Sequence, residues 1–119
     1  MDQALAKNVL AARAAHPEAT LVVYAGNLHT RRNGHPGFAG KTFMAGYLKQ
    51  AGLDFLAIDA RYEDGAAWVC MDNKPCGVQK LRGRVGASGG LHMEPSADGN
   101  YDGWYGLGPI SASPPAAVR

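Results

Sequence analysis

The residue best suited to chemistry is His29, in the motif Gly-Asn-Leu-His formed by residues 26–29. An imidazole can serve as a general base or a metal ligand, because one ring nitrogen takes up and releases a proton near neutral pH. Arg31 and Arg32 follow and could hold a carboxylate or stabilise a developing oxyanion. The pattern also fits a solvated loop histidine beside two surface arginines, and this alternative stays open.

The same loop ends in Gly40-Lys41-Thr42, which is similar to the end of a phosphate-binding loop. That motif needs a glycine where this chain has His35, and it must begin directly after a strand. We therefore interpret these three residues as the start of a helix. His16 lies beside a helix end, and His92 lies in a turn-rich stretch. Both are therefore weaker candidates than His29.

The two cysteines, Cys70 and Cys76, enclose Asp-Asn-Lys-Pro, which is typical turn material. A short hairpin would bring the two thiols together, so we predict a disulfide of the kind found in exported proteins. The alternative is a pair of free thiols in a reducing compartment.

The positions of these residues depend on the predicted helices and strands. A strand apolar throughout is typical of a sheet covered on both faces, and Gly26 closes the first such run. From residue 77 to 100 turn-formers dominate, so we predict loop with at most one short strand. The predicted helices span 2–15 and 41–52, and the predicted strands span 20–26, 54–60, 66–71 and 102–110.

This order predicts an α/β fold with a layered, mostly parallel or mixed central sheet, flanking helices and a loop-rich C-terminal part. The 119 residues make one domain or part of one, with residues 111–119 as a flexible tail. A net charge of +2 gives no indication of a nucleic-acid partner. No apolar run is long enough to span a membrane, and the first residues lack the layout of a signal peptide.

Several separated segments together resemble the superfamily of haem-uptake ChaN-like, erythromycin-esterase-like and TIKI proteins. DQALAKNVL is similar to its Arg-Asp-x-x-Met-Ala-x-Asn helix, with Asp2, Ala6 and Asn8 in place and Met1 where the arginine would be. The segments that carry the rest of the likeness, in matching order, are LVVYAGNLHTRR, FMAGYL, AAWVC followed by Cys-Gly, and YDGWYGLGPISASPP.

Members of that superfamily are much longer, so this chain looks like the C-terminal half of such a domain. The resemblance then implies hydrolysis of an ester or peptide bond. The chain would form one side of an active-site cleft. There His29 would be the base or a metal ligand, Arg31 would lie nearby, and Gly26 and Asn27 would shape the turn. The implied cofactors are a divalent metal or haem.

The resemblance also allows two other functions. One is a module that binds haem or another small molecule or peptide, with His29 or a tyrosine as axial ligand. The other is a structural fragment without catalysis. We expect little activity from the chain alone, and we expect it to dimerise, swap elements or bind its other half. The complete protein would be exported, to the periplasm or the extracellular space.

Overall fold

The structure is a computed structural model that describes residues 1–113, without the side chain of Met71. Its two α-helices are α1 (Asp2–Ala15) and α2 (Met44–Gln50), with a short 3-10 helix, Pro36–Phe38, between them. Helix α1 is where the sequence predicts it. Helix α2 begins at Met44 and not at Lys41, so the prediction that Gly40-Lys41-Thr42 starts a helix is wrong. Helix α1 ends before Pro17, and α2 is followed by Gly52, whose φ of +75° suits a residue without a side chain.

Within residues 1–113, five strands form two small sheets. Strands β1 (Ile58–Arg61), β4 (Gly90–His92) and β5 (Gly103–Gly106) form a three-stranded sheet of order β1-β5-β4. Strands β2 (Gly65–Met71) and β3 (Lys74–Leu81) form an antiparallel pair in which Trp68 lies opposite Val78. The chain is therefore a mixed α/β protein. No helix in the described part of the chain is long and apolar enough to cross a membrane.

The chain divides into two compact units. The first contains Met1–Asp59 and Met93–Trp104, and the second contains Ala60–His92 and the described residues from Tyr105 onward. The core of the first unit is the contact between the two helices, where Ala6 meets Met44 and Leu48 and all three are buried. Three further apolar side chains of α1 extend this core: Leu5, Val9 and Leu10.

The predicted strand at residues 20–26 is wrong for the chain as it stands, since these residues pair with no strand among residues 1–113. Two of their side chains are almost fully exposed, Val22 at 83% and Tyr24 at 97%. The reason is physical: a strand exists only beside a neighbour that accepts its backbone hydrogen bonds, and nothing described lies alongside.

The other predicted strands agree at least in part with the strands of the structure. Strand β2 confirms the strand predicted at 66–71. Strand β5 occupies only part of the run predicted at 102–110, and β1 overlaps the run predicted at 54–60 in its last three residues and extends to Arg61. The loop predicted from residue 77 is wrong up to Leu81, because pairing with β2 makes those residues a strand. The short β4 agrees with the single short strand allowed there. The tail beyond residue 113 lies outside the described residues.

The predicted disulfide is present: Cys70 and Cys76 are bonded across the β2–β3 hairpin. The bond joins residues six positions apart beside the turn at Asp72 and Asn73. A two-stranded hairpin is marginal by itself, so the covalent link stabilises an element with little core of its own. A disulfide is compatible with an exported protein.

Candidate functional site

The loop that carries His29 begins with a tight turn. The His29 amide donates to the Gly26 carbonyl at 2.9 Å, and the Thr30 hydroxyl donates to the Asn27 carbonyl at 3.1 Å. Gly26 does not adopt a positive φ, and a Cβ there would lie 3.6 Å from Cδ2 of His29, an ordinary contact. A side chain at residue 26 would therefore touch the ring, but glycine is not required there by the backbone.

The imidazole of His29 is held by the carboxylate of Asp2. Its Nδ1 lies 2.6 Å from Asp2 Oδ1, across 27 residues of sequence. The Asp2 side chain is only 6% exposed and that of His29 is 26% exposed. Asp2 reaches this position because it is the first residue of α1, whose apolar stripe packs on α2. The ring is thus neither buried nor turned freely into solvent.

The charge state of Asp2 fixes the role of each ring nitrogen. Burial by itself would raise the pKa of Asp2, but hydrogen bonds from His29 and the Met44 amide, with the charge of Lys41, lower it from its ordinary value. An ionised carboxylate can only accept, so the proton of the neutral ring lies on Nδ1. The Nε2 lone pair then stays available as a base or a ligand.

Asp2 and His29 also close the beginning of α2. Phe43 precedes the helix, and its apolar side chain makes no capping hydrogen bond. The Met44 amide instead donates to Asp2 Oδ1 at 3.1 Å, and the Ala45 amide donates to the carbonyl of His29 at 2.9 Å. Because free amides at a helix start need acceptors, this arrangement ties α1, the loop and α2 together.

A second segment, residues 98–102, holds the same loop from another side. The buried Tyr101 donates its hydroxyl to the Asn27 carbonyl at 2.6 Å. The side-chain oxygen of Asn100, also buried, accepts from the Asn33 amide at 2.8 Å. Burial raises the pKa of Tyr101, which keeps its hydroxyl a donor.

Both arginines of the loop are used in ion pairs. Arg31 donates to Asp98 Oδ2 at 2.7 Å and to the Gly34 carbonyl at 2.9 Å. Arg32 donates to the carboxylate of Asp102 and lies over the ring of Phe55. Arg31 therefore acts on the shape of the loop and makes no hydrogen bond with His29.

The carboxylates of these pairs are ionised at neutral pH. Hydrogen bonds from Ser96 and from Asn100, assisted by Arg31, hold the pKa of Asp98 well below its usual range. The hydrogen bond from Arg32 is the main cause of the lowered pKa of Asp102. The loop is consequently positioned by charge-assisted bonds, which are stronger than neutral ones.

The remaining histidines do not join His29. His35 accepts the Gly37 amide at 2.9 Å and so begins the 3-10 helix, and His92 contacts the Ser88 carbonyl at 3.0 Å. No three His, Cys, Asp or Glu side chains gather within residues 1–113 to hold a metal ion. His29 would offer a metal or a haem one ring nitrogen, and within residues 1–113 no set of three such ligands completes a metal site.

Sequence reasoning missed the partners of the loop. Asp98, Asn100 and Asp102 fall in or beside the stretch predicted to be irregular, and no local pattern relates them to the loop that carries His29. In the sequence, Asp2 stands out only through the resemblance of its helix. A signal was available in the run Ser-x-Asp-x-Asn at residues 96–100, since short polar side chains at this spacing fold back on their own backbone.

Two cavities lie in the first unit. One, of about 790 Å³, is an apolar groove between residues 19–23 and 53–58. The other, of about 670 Å³, is a polar cleft formed mainly by residues 31–42. His29 lines neither of them, although Thr30, Met44 and Ala45 line the groove. The site predicted to face a pocket is therefore next to one and outside it.

Comparison of the chain with protein-family models, with curated proteins and with solved structures finds no match. The class that the structure defines is a mixed α/β protein with an aspartate-held histidine. Function has to be inferred from the geometry of that site.

Proposed function

We propose that this chain supplies a carboxylate-oriented histidine base to a hydrolytic site that cleaves an ester or peptide bond. The observation that carries the proposal is the bond from Nδ1 of His29 to the buried Asp2. A carboxylate on one ring nitrogen orients the other and stabilises the imidazolium that forms when a proton is taken up.

The proposed role of His29 is to take a proton from a water molecule or a hydroxyl nucleophile that another element presents at Nε2. The chain's own residues set the direction of the ring. Asp2 fixes Nδ1, and the bond from Ala45 to the carbonyl of His29 fixes the backbone beneath it. Asn27 contributes by holding the turn, since its carbonyl accepts the Tyr101 hydroxyl.

We further propose that the chain is one half of a layered α/β domain similar to the ChaN-like, erythromycin-esterase-like and TIKI proteins. Two features support this. Residues 20–26 have the composition of a covered strand but no paired strand among residues 1–113. Within the same residues the ring of His29 is hydrogen-bonded to Asp2 and to no serine, threonine or cysteine. The nucleophile and the oxyanion donors would come from the other half, while Arg31 would shape this chain's side of the cleft.

An activated ester tests the base without the missing half. An unprotonated Nε2 attacks p-nitrophenyl acetate directly, so the chain should release p-nitrophenolate faster than buffer does. His29→Gln should remove most of this excess rate. His16→Gln, at a histidine exposed at the end of α1, is the matched control and should remove much less of it.

Asp2→Asn tests whether the carboxylate of Asp2 increases the reactivity of His29. Loss of the carboxylate should lower the His29-dependent rate by roughly tenfold, the scale of one charge-assisted hydrogen bond. A rate in His29→Gln equal to that of the unmodified chain would overturn the proposal. So would an Asp2→Asn chain that is folded and fully reactive.

A further inference from the structure

The apolar groove of the first unit is built like the position of a missing strand in a β-sheet. Its base is formed by side chains of the two helices, Val9 on α1 with Met44 and Leu48 on α2. Its sides are two segments that belong to no helix or paired strand, residues 19–23 and residues 53–57.

Exposure along both sides alternates as it does in a strand. Leu21 and Val23 are 41% and 40% exposed, while the intervening Val22 is 83% exposed and the following Tyr24 is 97% exposed. On the other side Leu56 is 69% exposed beside the buried Ala57. A period of two is that of extended backbone, in which successive side chains point to opposite faces.

The backbone of both segments lacks partners on one edge or both. Residues 20–25 make no backbone hydrogen bond with any other described residue. In the other segment, Ala57 exchanges bonds with Asp102, and the Phe55 carbonyl accepts from Arg32. The amides and carbonyls of Asp54 and Leu56, which belong to the opposite edge, have no such bond within residues 1–113.

We propose that a β-strand of a different polypeptide segment inserts into this groove and pairs with both sides. Unpaired N–H and C=O groups call for another backbone, and an apolar base calls for apolar side chains on that backbone. The inference rests on the proposal that the chain is part of a larger α/β domain. It does not use the chemistry of His29, since neither Asp2 nor His29 lines the groove.

The order along the chain supports insertion. Residues 20–26, helix α2 and residues 53–61 follow one another as strand, helix and strand do in a βαβ unit. The two strands of such a unit run parallel, and the connecting helix can pass over a third strand that lies between them.

The occupant should be apolar and uncharged at its centre. The charged residues around the groove are Arg13, Glu18 and Asp54. The guanidinium of Arg13 already donates to the Ala19 carbonyl at 2.7 Å. A strand rich in β-branched residues fits this lining, and a charged one would lose its hydration against Val9 and Leu48.

A second copy of this chain does not fit as well. A copy could offer its own residues 20–25, but these form one side of its own groove. In a symmetric dimer each copy would lose a side in filling the other, so neither would have a strand paired on both edges. A separate segment fills the groove without that loss.

The test begins with a peptide probe. Peptides of about nine residues, enough to span the groove as an extended strand, are selected from a random library against the full chain. We expect enrichment of uncharged, β-branched sequences. On binding, hydrogen exchange should slow at residues 20–25 and at residues 53–57 together. Enrichment of no sequence, or protection elsewhere, would overturn the inference.

Backbone methylation distinguishes insertion from addition to one edge. The best peptide is made in two further forms, N-methylated at its odd or at its even residues. Because an inserted strand bonds on both edges, each form should bind at least about tenfold more weakly, the effect of losing several hydrogen bonds. If either form binds like the parent peptide, the strand pairs with one side only and the inference fails.

Two variants locate the peptide. Val23→Lys places a charge in the groove and should weaken binding by about tenfold or more. Tyr24→Lys is the neighbouring control, exposed and outside the groove, and should bind within about twofold of the unchanged chain. Circular dichroism checks that both variants keep their helices. A dimer that protects the same amides without peptide would assign the groove to a second copy and contradict the proposal.

Discussion

Replacing Asp2 tests the arrangement on which the site depends. Its carboxylate accepts two hydrogen bonds, one from Nδ1 of His29 at 2.6 Å and one from the Met44 amide at 3.1 Å. Loss of a helix cap costs about 1 kcal/mol, and loss of a charged hydrogen bond costs about 1.5–3 kcal/mol. Asp2→Ala should therefore lower the free energy of unfolding by about 2–4 kcal/mol, or the melting temperature by roughly 8–16 °C.

Asp2→Asn removes the negative charge of the side chain and keeps its size and shape. Its amide oxygen can still accept from both donors, so the loss should be smaller, about 1 kcal/mol. Gln3→Ala is the matched control, because Gln3 lies beside Asp2 in the first turn of α1 and is exposed. It should change the free energy of unfolding by less than about 0.5 kcal/mol.

The pH dependence follows from the direction of the pKa shift. The pKa of Asp2 is lowered in the folded chain, so its contribution is complete above the unfolded value of about 3.9. It is lost as the pH falls through the folded-state pKa. Urea denaturation of the chain and of Asp2→Asn should therefore give curves that converge below about pH 4. An Asp2→Ala chain as stable as the original at neutral pH would refute the reasoning.

Three further predictions concern other parts of the chain. Tyr101→Phe removes the bond to the Asn27 carbonyl and should cost about 1 kcal/mol in urea denaturation; an unchanged midpoint would contradict this. Cys70→Ser opens the link to Cys76 and should cost about 2 kcal/mol, seen as faster hydrogen exchange in β2 and β3 than in the bonded hairpin. Gly83→Ala would place a Cβ 1.2 Å from a backbone carbonyl oxygen, so limited proteolysis should find the second unit unfolded, and a resistant variant would show that this loop can move.

The sequence predicts the helices well because their signals are local. Apolar residues spaced by helical turns define α1 and α2, and Pro17 and Gly52 mark where they end. The disulfide was also predictable, since the segment between Cys70 and Cys76 contains Asp-Asn-Lys-Pro, which is typical turn material.

The strand at residues 20–26 shows the limit of such reasoning. Its composition predicts a covered strand, but a strand needs a neighbour, and composition does not say whether the same chain provides one. For the candidate site, the sequence predicts the histidine but not the residues that hold its loop. His29 stands out by its position after Gly26, whereas Asp98 and Asp102 reach the loop across 67 and 70 residues, where no local spacing relates them to it.

The tautomer of His29 tests the central claim most directly. Long-range proton–nitrogen NMR spectra of the neutral ring distinguish a protonated ring nitrogen from one with a free lone pair. The Asp2 contact predicts a proton on Nδ1 and a free lone pair on Nε2, with both signals shifting in Asp2→Asn. A proton on Nε2, or the averaged signals of a solvated histidine, would contradict the account.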